Sequence, residues 1–330
     1  GITITGTAAD TGSDDLHLSD GAVIETTGGA TDITFVVDSI GFTTPADPSV
    51  TATNDVVINL RTDSTDINIG DGAALAGLYL NQTALGYFAP TGALVLGNED
   101  TGTGTATMDT VDLAAAPALT VLSGDIVVRN LSNIAGNVPF LTAQTGDLTF
   151  IEDDISEDIG AAILADIKTN FRTTIGDLIL APETNTSNIG IAGGAGVFNF
   201  AEADLQGFTQ IGGLLMIGDP DGGSGVLDVN AFDLSGETYG IGLQGGSLTL
   251  NGAVQSGADF LIGADSFALN GNTITAANDI ILEPQTTTLS IGVWDGTGAL
   301  QFDESFIDLL TPGERANLIF GEQNGGSGTV

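Results

Sequence analysis

Short segments in which apolar and polar residues alternate are spread along the whole chain. The first of them are Ile2–Thr5, Leu16–Leu18 and Ile33–Phe35, and clusters of Gly, Asp, Ser and Thr separate them. Successive side chains of a β-strand point to opposite faces, so this alternation predicts short, half-buried strands joined by turns.

A longer pattern occurs three times, in modules that span residues 55–104, 177–225 and 279–328. Each module opens with Asp and an apolar triplet, continues to an Ile-Gly pair, and later has a second apolar triplet closed by Gly. We align the Ile-Gly pairs Ile69-Gly70, Ile189-Gly190 and Ile291-Gly292. The closing glycines, Gly97, Gly218 and Gly321, are unequally spaced along the chain. This unequal spacing indicates that the modules are built from smaller coils, and that some modules carry an extra coil.

Shorter repeats give the size of one coil. Asp125–Val128 is repeated at Asp147–Phe150, and Leu248–Gly252 is repeated at Phe267–Gly271. The stretch of chain from one copy of each repeat to the next is too short to contain a helical crossover between parallel strands. The pattern therefore predicts an all-β fold, a right-handed parallel β-helix in which residues 1–330 form one continuous stack. Eight apolar residues of the modules should point into its core: Ile67, Ile69, Leu94, Leu96, Ile189, Ile217, Ile291 and Phe320.

One segment departs from this pattern. Residues 156–171 carry Ile159, Ile163, Ile167 and Phe171 at steps of four, which is typical of one face of a helix. Ser156 is a suitable N-cap. We predict a short amphipathic helix near 156–171, and an irregular turn of coil is the alternative.

Charge excludes several classes of partner. The 330 residues include 43 acidic and 5 basic side chains, for a formal net charge of −38. Nucleic acids and anionic membrane surfaces bind basic patches, so we expect neither as a partner. No apolar run reaches the length of about 18 residues that a membrane span needs, so we expect no membrane insertion. The sequence has no cysteine, which excludes disulfides and thiolate chemistry.

The modules resemble a known family of repeats. Their shared motif, Ile-Gly…Gly-x-Leu-x-Phe…Leu-x-x-Gly-x-x-x-Gly-Gly-Ser-Gly, is similar to repeats of the filamentous-haemagglutinin-like adhesins, large two-partner-secretion surface proteins of Gram-negative bacteria. The resemblance covers most of residues 55–330. It implies a β-helical shaft, an extracellular or cell-surface location, and a role in attachment, aggregation or matrix formation. It assigns no catalytic or binding residue, because the shaft repeats are structural.

Candidate catalytic groups are sparse. His17 is the single histidine, and in a Leu-His-Leu strand it is expected to be a surface residue. The densest acidic run, 152–158, favours a solvated face or a helix entry over a pair of catalytic carboxylates. The basic residues are scattered along the chain. We therefore expect no enzyme activity.

A glycine-rich segment, a single tryptophan and a pair of aspartates each have both a structural and a functional interpretation. Glycines in 190–196 suggest a phosphate loop, but no Lys-Ser/Thr follows, so corner glycines are preferred. Trp294, the sole tryptophan, suits either packing or a sugar-stacking platform. Asp219 and Asp221, in a Gly-rich turn, are the candidate metal ligands, with calcium as the ion they would bind. We expect no other cofactor.

The sequence thus predicts an extracellular structural or adhesive β-helix shaft, a segment of a long bacterial surface fibre. The alternatives are a polysaccharide-binding or polysaccharide-cleaving β-helix, and a surface-layer or self-assembling filament subunit. We expect two kinds of partner. One is more β-helix joined end to end, either in further copies of the chain or in a longer polypeptide, and the other is the glycans of host or neighbouring cells. This end-to-end expectation follows from both termini, since residues 1–5 start directly on a strand and 325–330 stop at a turn that elsewhere leads onward.

Overall fold

All strand pairs described in the computed structural model are parallel. The structure describes residues 1–6, 14–19, 21–42, 48–73, 77–98, 102–112, 116–132, 139–151, 168–220, 222–286, 288–294 and 296–321. These residues are almost entirely strands and turns, stacked in long parallel ladders. The predicted all-β parallel β-helix is confirmed. In the described ranges, no helix has the length and apolar character needed to cross a bilayer.

The chain divides into two compact units, Gly1–Phe150 with Ala162–Gly176, and Ile151–Ala161 with Asp177–Val330. One continuous stack over residues 1–330 stays a prediction. The elements assigned to the first unit are β1 (Ile2–Thr5), β2 (Leu16–Leu18), β3 (Val23–Glu25), β4 (Ile33–Val36), β5 (Ile40–Phe42), β6 (Ser49–Ala52), β7 (Val56–Asn59), β8 (Ile67–Ile69), β9 (Leu78–Leu80), α1 (Gln82–Leu85), β10 (Phe88–Pro90), β11 (Leu94–Gly97), β12 (Thr105–Asp112), β13 (Leu119–Ser123), β14 (Asp125–Ser132), β15 (Phe140–Ala143), β16 (Leu148–Ile151) and β17 (Phe171–Thr173).

In the first unit, a seven-stranded sheet has the order β1-β4-β7-β11-β13-β15-β17. A second ladder runs β9-β8-β12-β14-β16, a third β3-β6-β10, and β2 pairs with β5. Apart from β8 and β9, which are consecutive in the chain, strands that are neighbours in a ladder are separated in sequence by at least one strand of another ladder. This is the connectivity of a coil that passes through each sheet once per turn.

The second unit is built in the same way. Its elements are β18 (Leu178–Ala181), β19 (Ile189–Ile191), β20 (Phe198–Phe200), α2 (Glu202–Leu205), β21 (Leu214–Ile217), β22 (Val226–Val229), β23 (Phe232–Leu234), β24 (Gly240–Gln244), β25 (Ser247–Leu250), β26 (Val254–Ser256), β27 (Phe260–Gly263), β28 (Phe267–Ala268), β29 (Ile274–Ala276), β30 (Ile280–Glu283), β31 (Ile291–Val293), β32 (Leu300–Phe302), α3 (Glu304–Ile307), β33 (Leu310–Thr311) and β34 (Leu318–Phe320). The ladders run β18-β21-β24-β27-β30-β34, β20-β19-β22-β25-β28 and β23-β26-β29-β33, and β31 pairs with β32.

Each of the three modules contains one enlarged coil. The residues in register one coil apart are Val56 with Leu94, Leu178 with Leu215, and Ile280 with Leu318. The chain between these partners is roughly twice as long as the chain between Ile241 and Phe260, which pair across an ordinary coil. The added length forms an extra parallel strand (β9, β20 or β32) and a four-residue helix (α1, α2 or α3). We call these three segments the long coils.

The structure corrects one equivalence between modules. Ile67, Ile189 and Ile291 open the corresponding strands β8, β19 and β31, and each pairs with the first residue of the extra strand. Ile69-Gly70 therefore corresponds to the dipeptides 191–192 and 293–294, two residues after the aligned Ile-Gly pairs. The alignment failed because β-strand periodicity is two, so a shift of two residues keeps the same face buried.

The core follows the alternation in the sequence. Seven of the eight predicted core residues, all except Phe320, are at most 4% exposed. Phe320 is half-buried. It lies in β34, which pairs with β30 along one edge, and its ring centroid is 4.9 Å from that of Phe302. Of the predicted helix near 156–171, residues 156–167 lie outside the described part. Residues 168–170 are helical and Phe171 begins β17.

Apolar residues also occupy outward positions of the ladder β18-β21-β24-β27-β30-β34 in the second unit. Leu178 and Leu180 point into the core, yet the alternate residues Ile179 and Ala181 are also buried. Together with Met216 they form a separate apolar cluster. Outward positions of this ladder are therefore partly apolar and buried.

Candidate functional site

A pocket of about 450 Å³ lies in the first unit, beside the first long coil. We call it the Tyr79 pocket. Its lining includes Asp14, His17, Phe42, Tyr79, Asn81 and Tyr87. It contains the single histidine and two of the three tyrosines of the chain.

One wall is the pair of strands β2 and β5. His17 lies opposite Gly41 in register, and His17 Nδ1 is 3.5 Å from Asp14 Oδ2. A Cβ atom placed on Gly41 would lie 1.7 Å from Asp14 Oδ2 and 2.7 Å from His17 Nδ1. Glycine at this position therefore leaves the space in which the carboxylate meets the imidazole.

The opposite wall comes from the first long coil. In β9, Leu78 and Leu80 are buried in the core, so Tyr79 between them points outward and is half-buried. Asn81 is the N-cap of α1, and its Oδ1 accepts a hydrogen bond from Ala84 N at 2.8 Å. The Nδ2 group remains as the donor that Asn81 can offer to the pocket.

Aromatic rings close the apolar side of the pocket. Tyr87 follows α1 and is 7% exposed, and its ring centroid lies 5.2 Å from that of Phe42. Phe42 also meets Phe88 edge to face at 6.1 Å. Tilted and edge-to-face pairs of this kind are favourable and hold the rings in fixed positions. The Tyr79 pocket thus combines aromatic surface with a carboxylate, an imidazole and an amide.

Sequence reasoning anticipated only part of this site. His17 has the predicted outward position and is exposed, but its contact with Asp14 and its place in a pocket were missed. The tyrosines were missed as well. A signal was present, because the positions equivalent to Tyr79 in the other long coils hold Asn199 and Gln301. An aromatic residue at an outward position in one copy alone suggests a local role.

Of the two calcium candidates, only Asp219 lies within the described residues. Asp221 lies outside the described residues. The backbone carbonyl of Asp219 accepts hydrogen bonds from Gly223 N at 3.2 Å and from Gln285 Nε2 at 2.9 Å. In the described part of the chain no three His, Cys, Asp or Glu side chains are grouped as metal ligands would be. Calcium binding by this turn stays a prediction.

The acidic run 152–158 lies outside the described residues, but two basic residues can be placed. Arg61 forms ion pairs with Asp15 at 3.2 Å and with Asp38 at 2.9 Å. Partial burial raises the pKa of Asp38, but hydrogen bonds from Thr62 and the Arg61 charge outweigh it and hold that pKa below its ordinary value. The Arg172 guanidinium lies 4.3 Å above the ring of Phe140. Neither arginine lines the Tyr79 pocket.

The Gly-rich segment 190–196 has a structural role. It joins β19 to β20, which pair in parallel although only residues 192–197 connect them. A Cβ atom on Gly196 would lie 2.4 Å from Gly190 N, so the loop crosses directly over the strand backbone. This close approach supports the corner-glycine interpretation over a phosphate loop.

Trp294 occupies an unusual backbone position. It has φ 58°, and the equivalent residues Ala192 and Gly70 have φ 56° and 97°. In all three long coils this residue donates its N–H to the last residue of the extra strand. The Trp294 side chain is 63% exposed, so the packing interpretation is wrong. A bulky residue with positive φ is strained.

Comparison with protein-family models, curated proteins and solved structures found no match for this chain. The resemblance to filamentous-haemagglutinin-like repeats is therefore carried by the module residues alone.

Proposed function

We propose that this chain is a segment of the shaft of an extracellular adhesive fibre of a Gram-negative bacterium. The observation that carries the proposal is the uninterrupted parallel ladder within each unit, in which coil after coil repeats the same register. Stacked coils convert chain length into an extended structure, because each coil needs only its neighbours to complete its core.

Surface chemistry supports an extracellular role. A net charge of −38 keeps the protein surface soluble and self-repelling. The ladders hold without cysteine, so stability does not depend on the redox state of the compartment. Antibodies raised against the chain should label intact cells of its source organism. Labelling only after lysis would contradict the extracellular location.

We further propose that the chain stacks or continues end to end with more β-helix. In β1, the amides of Ile2 and Gly6 donate toward β4, to Asp32 O at 3.1 Å and Val36 O at 3.0 Å. By alternation, the Thr3 amide points to the other edge of the strand. An edge of this kind can pair with another strand.

Light scattering and electron microscopy test the stacking. We expect particles of constant width that lengthen with protein concentration. Thr3→Pro removes the outward donor and should shorten them, while the matched control Thr3→Val keeps the amide and should not. A monomer at every concentration, or equal assembly of both variants, would count against stacking.

Sugar binding is a second candidate function, and the Tyr79 pocket is the observation that favours it. Pockets of about 300–1,000 Å³ with aromatic walls and a few placed polar groups are typical ligand sites. Attachment to host or neighbouring-cell glycans needs such a site on the shaft.

A further inference from the structure

We propose that the Tyr79 pocket binds one neutral or amino-sugar residue, whose ring stacks on Tyr79 and whose hydroxyl groups bind Asp14, His17 and Asn81. The proposal rests on the second candidate function, sugar binding, and gives it a location and a ligand class. The shaft role stands without it.

The size and the aromatic surface suit a sugar ring. The cavity of about 450 Å³ has room for a single sugar residue or a disaccharide. Tyr79 is held by its buried neighbours in β9 with its ring toward the pocket, and Phe42 and Tyr87 form a fixed aromatic floor. The C–H face of a pyranose packs against a phenol ring, and the phenol hydroxyl stays available for a polar contact.

The polar groups are arranged in advance of binding. The Asp14 carboxylate accepts hydrogen bonds from hydroxyl groups and is held by the contact of 3.5 Å with His17. Asn81 is fixed by capping α1 through Oδ1, which leaves Nδ2 to donate to a ring or hydroxyl oxygen. Side chains that are already ordered lose little entropy on binding, which favours affinity at an otherwise small site.

Charge selects among sugars. Of the described residues that line the pocket, Asp14 is the acid, and none is lysine or arginine. Arg61, in the same unit, is engaged by Asp15 and Asp38. A carboxylated sugar would therefore bring a second carboxylate next to Asp14, whereas an amino sugar would gain from the Asp14 charge. We expect the affinity order to be amino sugar and neutral sugar above uronic acid.

Among the described residues, the tyrosine of the pocket is specific to the first long coil. The residue equivalent to Tyr79 in the second long coil is Asn199, whose Nδ2 donates to the carbonyl oxygen of Gly196 in its own loop. In the third it is Gln301, which is exposed. The chain should therefore bind one sugar per molecule, and Gln301→Ala is a matched control for Tyr79→Ala.

The test is saturation-transfer NMR and calorimetry on the full chain with glucose, galactose, N-acetylglucosamine, glucosamine and glucuronic acid. At least one neutral or amino sugar should bind with a stoichiometry of one. Tyr79→Ala should weaken binding about tenfold or more, because a stacked ring is lost, and Gln301→Ala should leave it unchanged. Circular dichroism checks that each variant is folded.

A second variant tests the geometry without removing a binding group. Gly41→Ala should weaken binding, because its Cβ would occupy the space of the Asp14 carboxylate. No binding by any of these sugars at millimolar concentration, equal binding by Tyr79→Ala and wild type, or tighter binding of glucuronic acid would overturn the proposal. Light scattering on the same samples reports fibre assembly separately, so failure of sugar binding is distinct from failure of the shaft role.

Discussion

The aspartate that opens each module should stabilise the contact between its coil and the next. Oδ1 of Asp55, Asp177 and Asp279 accepts a hydrogen bond from a backbone N–H one coil further on, at 2.8, 2.7 and 2.6 Å. The donor for Asp55 is Ala93. A Cβ atom on Gly92 would lie 2.1 Å from Asp55 Oδ1, so the glycine makes room for the carboxylate.

Asp55→Ala removes this acceptor and leaves the Ala93 amide without its partner. A hydrogen bond to a charged group contributes about 1.5–3 kcal/mol, and the half-buried position of Asp55 favours the lower end of that range. We therefore expect a loss of about 1.5 kcal/mol in local stability, which corresponds to about tenfold faster exchange of the Ala93 amide.

Hydrogen-exchange mass spectrometry on peptides that cover residues 91–97 measures the effect. Asp55→Asn keeps an oxygen acceptor and should lose less protection than Asp55→Ala. Removal of one charge from a chain of net charge −38 relieves repulsion, and the exposed residue Glu314 changed to Ala measures that opposing effect. Unchanged protection in Asp55→Ala, or an equal loss in Asp55→Asn, would refute the reasoning.

The remaining predictions concern stability and the titration of one tyrosine. Tyr239→Phe should cost about 1 kcal/mol in urea unfolding, because the buried phenol donates to the carbonyl oxygen of Leu205; an unchanged midpoint would contradict this. Burial also raises the pKa of Tyr239, so a spectrophotometric titration should find its phenol protonated well above pH 10. Trp294→Gly should raise the melting temperature by relieving about 1 kcal/mol of backbone strain, and a lower value would show that the side chain stabilises the fold. Hydrogen bonds, first from the Asn54 side chain, lower the pKa of Asp32. Its contribution to stability is therefore complete above the unfolded pKa of about 4 and is lost as the pH falls through the lower, folded value. Asp32→Asn should therefore flatten the fall in stability below about pH 4. Melting temperature should rise with sodium chloride, and more with divalent cations, because salt screens the acidic surface; flat titrations would contradict this.

The periodicity of the sequence was sufficient to predict the fold and most of the core. Alternation at period two fixes which side chains of a strand face inward, as for Ile67 and Ile69. The short repeat that joins Leu248–Gly252 to Phe267–Gly271 fixes the coil, because each strand must return above its predecessor. The alternation and the short repeat both involve residues that are close in the chain, so they can be recognised in a single sequence.

The same periodicity could not fix every position. The alignment of Ile69-Gly70 with Ile189-Gly190 was two residues out of step, because a shift of two preserves the buried face. The enlarged coils could not be separated from two ordinary coils by length. Only strand pairing distinguishes them, since β8 pairs with β9 and also with β12.

The sequence by itself determined the parallel stack, the acidic surface and the absence of thiol chemistry, because these follow from periodicity and composition. The tertiary structure alone decided the Tyr79 pocket. His17 and Tyr79 are far apart in the chain and lie on separate ladders. They line one cavity because coiling returns the first long coil to the strands β2 and β5, where a glycine at position 41 leaves the space in which the Asp14 carboxylate meets the His17 imidazole. Contacts of this range depend on how coils stack, and no local pattern records them.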